Sequence, residues 1–192
     1  MGWEVRRTSA RAASHLVIFR ETPLPGAWIV ELEPVEDERG AFTRTFAADE
    51  FAQHGLNANV AQCSVSSNPR RGTLRGMHYQ ALPYGECKLI RCSRGAIFDV
   101  LVDLRADSPA YCSWFGVELT PDNRKSVYAP EGVAHGVLTL AAMTDVSYQI
   151  SVPHVPSAAR GVRWNDPAFG ISWPAEVQVI SERDRTYPDF LS

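Results

Sequence analysis

Arg75-Gly-Met-His78-Tyr-Gln80 is the first place along the chain where groups that move protons and bind anions gather inside a strand-like run. Histidine is the side chain best suited to exchange a proton near neutral pH, and the plainer alternative is a structural histidine bonded within a core. Strict two-residue alternation puts Arg75 and His78 on opposite faces of a strand, which a bulge at Gly76 would relieve. A second histidine, His135, follows Pro130-Glu-Gly-Val-Ala and precedes Gly136. Lys88, after the turn Gly85-Glu86-Cys87, could neutralise a phosphate or an enolate, although a lone lysine is more often a solvated charge. Asp184 could orient a histidine by accepting its ring N–H; its other role is the acid of a capping box opened by Ser181. Arg39, Arg44, Arg75 and Arg163 could form a diphosphate clamp, since the guanidinium fork takes phosphate through paired bonds. Arginines scattered over a surface look the same in one dimension.

These groups need a scaffold, and the chain is long enough to supply one. Its 192 residues, 21.3 kDa, make one domain of ordinary size that buries roughly 70% of its unfolded surface without disulfides or a structural metal. A composition 45% hydrophobic and 21% charged is that of a globular protein and excludes a disordered one. Nineteen basic against 22 acidic residues give a formal charge of -3, which argues against a nucleic-acid partner. The apolar runs fall short of the ~20 residues that span a bilayer, so no membrane role is expected. The opening segment has arginines and then an apolar stretch, but neither a long apolar region nor a cleavage site. Residues 1–20 are read as a flexible or swapped extension and 21–192 as a single domain. Cys63, Cys87, Cys92 and Cys112 form no C-x-x-C pair, and a cytoplasmic protein with reduced thiols is expected.

Apolar, β-prone runs occur at 27–33, 59–65, 73–79, 88–92, 96–104, 113–119, 125–129, 135–140 and 145–152, separated by turn signals such as Asp37-Glu-Arg-Gly40 and Pro121-Asp-Asn123. Short strands at this spacing predict an all-β sandwich or barrel, and a jelly roll fits their number. Helix is expected only at 47–54 and after Ser181. Alternation in 96–104 puts Phe98, Val100, Val102 and Leu104 on one apolar face, and Ile97, Asp99, Leu101 and Asp103 on the other. Two acids among apolar neighbours suggest a polar barrel interior or an exposed sheet. In 145–151, Tyr148 shares the apolar side with Val146 and Ile150, so its hydroxyl needs a partner if buried.

The segment ending at His135 resembles the second half of the cupin signature, P-x-G-x-x-H, from a β-barrel family in which such a histidine can ligate metal. The H-x-H pair and glutamate of the first half are missing, and two histidines without a third ligand make a poor metal site, which leaves a metal-free cupin. The ordered set Asp37-Glu-Arg-Gly40, Gly72-Thr-Leu-Arg-Gly-Met-His-Tyr-Gln80, Lys88-Leu-Ile-Arg91, Arg94 through Arg105, Pro130 through Gly136, Gly161-Val-Arg-Trp-Asn-Asp-Pro167 and Ile180-Ser-Glu-Arg-Asp184 resembles the dTDP-4-dehydrorhamnose 3,5-epimerases from about residue 21 to 190.

That resemblance implies a cupin-type jelly roll with a few short peripheral helices, acting without cofactor or metal on a nucleotide sugar, as a homodimer with a swapped N-terminal strand. It implies His78 as general base oriented by Asp184, Tyr148 as general acid on the opposite sugar face, and Lys88 as stabiliser of the enolate oxygen. Arg39 and Arg75 would bind the diphosphate, Arg39 across a dimer interface. Gln62 and Phe42 would hold the nucleotide or its vicinity, and His135 and Arg183 the substrate. The chain departs from the family pattern at Arg44 in place of a glutamate, at Ser64 in place of an asparagine, and at His154 in place of a stacking tyrosine. A binding glutamate is lost in Ser157-Ala-Ala159, and Val133 and Val137 stand in place of phenylalanines. Epimerisation at C3 and C5 of a dTDP-4-keto-6-deoxyhexose is therefore expected, with contacts to the substrate altered. The rival readings are a single-centre epimerase of deoxysugar synthesis, a non-catalytic sugar-nucleotide-binding cupin, and a metal-dependent cupin.

Overall fold

The computed structural model describes residues 17–190. One six-stranded sheet runs β1 (Val17–Glu21), β2 (Trp28–Leu32), β10 (Lys125–Ala129), β7 (Lys88–Arg94), β12 (Thr144–Ile150) and β5 (Gln62–Asn68). The second runs β13 (Ala159–Gly161), β6 (Thr73–Gln80), β11 (Val133–Thr139), β8 (Ile97–Asp103) and β9 (Trp114–Leu119), with β14 (Val179–Ile180) added along β6. A separate hairpin joins β3 (Pro34–Asp37) to β4 (Gly40–Thr43) through the predicted turn. The two helices are α1 (Ala48–Gln53) and α2 (Glu182–Arg185). Strands distant in sequence alternate within each sheet, as a jelly roll requires.

All nine predicted strands are present, the largest displacement being β5, three residues later than read. Residues 17–20, assigned to the extension, instead lie in β1, whose register runs from Val17 opposite Leu32 to Glu21 opposite Trp28. The rest of the assigned extension lies outside the described residues. No helix among the described residues is long and apolar enough to cross a membrane. The four cysteines are unpaired.

Three apolar layers hold the sheets. Ile29, Ile90, Val127 and Val146 from the first sheet meet Ile97, Leu101, Leu119 and Val137 from the second to form the core between them. Outside the first sheet, Val30, Leu32, Leu89 and Tyr128 are covered by Phe51 of α1. Outside the second, Met77, Val100, Val102 and Ala134 are covered by Val162, Phe169 and neighbours from the C-terminal segment. This double covering is why β8 reads apolar on both faces. Its two acids are both buried: Asp99 turns inward to a histidine, and Asp103 binds Arg105 and Ser108.

Candidate active site

One end of the sandwich opens into a cavity of about 700 Å³ lined by both sheets and by α2, within the usual range for small-molecule sites. The second sheet supplies Arg75 and His78 from β6 and His135 from β11; the first supplies Lys88 from β7, Tyr148 from β12, and Gln62 and Ser64 from β5. Asp184 and Arg183 arrive on α2, and His154 follows β12. His78, Asp184, Tyr148 and Lys88, able to do acid–base and electrostatic work, thus face one space.

Arg75 and His78 both line it, against strict alternation. The register between β6 and β11 shifts between His135 and Val137, the irregularity for which Gly76 was singled out. Gly76 has φ +146, and a Cβ there would lie 2.5 Å from the Cα of Gly136. Only glycine tolerates both constraints.

His78 Nε2 lies 2.7 Å from Asp184 Oδ1, while Asp184 Oδ2 accepts the Gly76 N–H at 3.2 Å. An ionised carboxylate only accepts, so Nε2 carries the ring proton and Nδ1 keeps the lone pair of a base. Ser181 does cap α2: the Asp184 N–H donates to its Oγ at 3.1 Å. The Asp184 carboxylate does not close the box: its oxygens go to the His78 ring and the Gly76 N–H. Burial pushes its carboxyl up, but the bonds from His78, Gly76 and Ser181 outweigh that and hold it below its ordinary value. A carboxyl depressed in the folded state stabilises fully above its unfolded value, about 4, and ceases to as pH falls through the folded value. Asp184→Asn should therefore lower Tm by about 3–6 °C between pH 5 and 7, with the gap to the parent closing below about pH 4. A gap that stayed constant into acid, in scanning calorimetry, would contradict this.

Tyr148 packs edge-on against the His135 ring, centroids 6.0 Å apart. His135 Nε2 is 2.8 Å from Asp99 Oδ2. Burial raises the Tyr148 pKa well above the ordinary phenol value; the Asp99 charge adds to this and Arg75 partly offsets it. The phenol therefore holds its proton throughout the working pH range and can act only as a donor until it is used. Lys88 is buried, its Nζ donating to the His78 carbonyl oxygen at 3.2 Å. The arrangement can remove a proton from one side of a bound ring, hold negative charge beside a cation, and return a proton from the other side.

Of the residues expected to bind substrate, Gln62, Ser64, Arg75, His135, His154 and Arg183 line the cavity. Arg39, Phe42 and Arg44 do not. They lie on or next to the β3–β4 hairpin, which pairs with no other strand among the described residues, and Phe42 is 67% exposed. Arg39 binds Asp37, Arg44 binds Glu50 and Arg163 binds Asp189. The four-arginine clamp is thus not assembled within the chain: of those four, only Arg75 reaches the cavity, and the others pair with nearby acids.

Sequence reasoning passed over Glu86 and Tyr187. Arg183 Nε donates to the Tyr187 hydroxyl at 2.8 Å, and the Tyr187 ring stands edge-on to His78, centroids 6.5 Å apart. A Cβ on Gly161, the residue opposite His78, would fall 2.3 Å from that ring; this explains a glycine quoted above only as part of a motif. Asp99 was visible through the alternation of β8, but its partner was not. No group of three or more histidine, cysteine or acidic side chains among the described residues is placed to hold a metal ion.

The family model for dTDP-4-dehydrorhamnose 3,5-epimerase matches residues 21–192. A dTDP-4-dehydrorhamnose 3,5-epimerase of Methanothermobacter thermautotrophicus is 43% identical over 173 residues, 88% of this chain and 92% of that protein. The crystal structure of the enzyme of that name from Elizabethkingia anophelis superposes with a TM-score of 0.89 at 32% identity, over 92% of this chain and 98% of its own. That of Bacillus anthracis, solved with TDP and PPi bound, gives 0.87 at 35% identity, over 91% and 100%.

Proposed function

The chain belongs to the dTDP-4-dehydrorhamnose 3,5-epimerase family, and on that footing we propose that it inverts C3 and C5 of a dTDP-4-keto-6-deoxyhexose, giving dTDP-4-dehydro-L-rhamnose. The observation that carries the mechanism is the His78–Asp184 pair facing Tyr148 and Lys88 across one cavity. Both carbons flank the C4 carbonyl, so loss of either proton leaves an enolate with its charge on the C4 oxygen. His78 Nδ1 takes the proton, and the Lys88 ammonium receives the oxyanion. Tyr148 gives its phenolic proton to the opposite face; the protonated histidine then releases its proton to solvent and the phenolate takes one up, which restores both groups. A preorganised donor at a developing oxyanion contributes roughly 3–4 kcal/mol in comparable sites.

Arg75 would hold the diphosphate, Gln62, Ser64 and His154 the nucleotide side, and His135 and Arg183 the sugar. The hairpin residues Arg39, Phe42 and Arg44 lie outside the lining of the cavity described above, and we assign them to a partner's cavity in a homodimer. The exposed Phe42 at the hairpin supports that reading. Unpaired thiols are in keeping with the cytoplasm as its compartment.

Proton NMR of dTDP-4-keto-6-deoxyglucose in D2O with catalytic protein tests the function. Deuterium should enter at both C3 and C5, and a ketoreductase added afterwards should yield dTDP-rhamnose. Deuterium at one centre would replace this conclusion with a single-centre epimerase, and none with a binding role. In light scattering, the same sample should have twice the 21.3 kDa mass of the chain.

A further inference from the structure

Glu86 has no part in the scheme above, yet its carboxylate is buried at the edge of the reaction space. Its Oε1 lies 2.8 Å from Lys88 Nζ, and the two side chains are only 9% and 10% exposed. Glu86 sits in the turn that leads into β7, and Lys88 is the first residue of that strand. The pair is thus built locally and does not depend on distant packing. An ammonium has three N–H bonds. One points to Glu86, a second to the His78 carbonyl oxygen, and the third is left for whatever occupies the cavity.

Burying a charge without an opposite one is costly, and groups so placed shed their charge. Other groups around Lys88 offer no substitute for Glu86. Opposite it on β10 is Ala129, and β12 presents Tyr148, a protonated phenol. On β6, the His78 ring is bound by Asp184, and Arg75 is a cation already bonded to Asn68. On β11, His135 is bound by Asp99. Among the described residues, Glu86 is the only acid within ion-pair distance of Lys88.

We propose that Glu86 is a positioning residue for the epimerisation, its carboxylate keeping Lys88 charged and aimed into the cavity to receive the enolate oxygen. This rests on the epimerase reading and adds to it a residue that never touches substrate. Without the carboxylate the buried ammonium has no counter-charge, and burial then favours the neutral amine. The neutral amine cannot offset an oxyanion's charge.

The test is kcat/KM from pH 6.5 to 9 for the wild type, Glu86→Gln and Glu86→Asp, with thermal melts to establish folding. The ratio of wild type to Glu86→Gln should widen at least tenfold between the two ends of the range. The ratio to Glu86→Asp, which keeps the charge, should stay level. Glu86→Ala serves as a second charge-free variant, with the same widening expected, should the glutamine protein fail to fold. A charge-free variant whose ratio is constant across the range would overturn the proposal, whatever its size, because a purely structural loss does not track the ionisation of Lys88. A wild type that exchanges no deuterium at C3 or C5 would overturn the epimerase reading itself, and this proposal with it.

Discussion

His78→Asn should lower kcat by roughly 10²–10⁴-fold and abolish deuterium entry at both sugar carbons. Asparagine can still donate an N–H to Asp184, so the carboxylate keeps a partner and the fold should survive. What vanishes is the lone pair on Nδ1, which the 2.7 Å bond from Nε2 to Asp184 leaves available. Two other groups of the cavity are already engaged. His135 is committed to Asp99, and Asp184 is already bonded through both oxygens. Exchange in D2O is the sensitive readout, because it registers proton removal even when no inverted product accumulates. Deuterium entering at the parent rate would remove His78 from the chemistry.

Tyr148→Phe should behave differently in kind. Inversion should fall by roughly 10²–10⁴-fold, while deuterium continues to enter with retention of configuration. The base still makes the enolate and Lys88 still holds it. The only proton then on offer comes back from His78, on the side it left. Phenylalanine fills the same space, keeps the edge-on contact with the His135 ring, and sits beside the same core residues. Stability should therefore be nearly unchanged, and the variant isolates the second half-reaction. Inverted product forming at the parent rate would mean that some other donor serves that face.

Much of this site was legible in one dimension, and its gaps have physical causes. Lys88, Tyr148 and His78 lie in strands long enough for alternation to assign a face. Asp184 follows Ser181 in a local helix-start signature, and the Ser181 half of the expected box formed. Face logic failed at Arg75, where a register shift cancels alternation; Gly76 marked the position, but the direction of the slip depends on Gly136 across the sheet. β13 and β14, three and two residues long, are too short for any period to show. The hairpin strands Pro34–Asp37 and Gly40–Thr43 mix polar and apolar residues evenly, so only their turn was visible. Glu86 escaped notice because an acid two residues before a lysine is common on solvated surfaces. Its meaning came from burial, which no local pattern reports.

The proton-removing histidine stands on one sheet, and the ammonium and the phenol stand on the other. The width of the gap between them is therefore set by the side chains wedged deeper in the sandwich, among them Ile90, Leu101, Val137 and Val146. Those residues act as a spacer, and the ring of the sugar is the gauge that reads it. A spacer one methyl thinner or thicker moves the donor relative to the ring while leaving the base and its ring carbon undisturbed. Stereochemical outcome can thus drift through changes in the greasy interior, with every polar residue of the pocket left untouched. Two proteins with identical linings can then deliver different sugars.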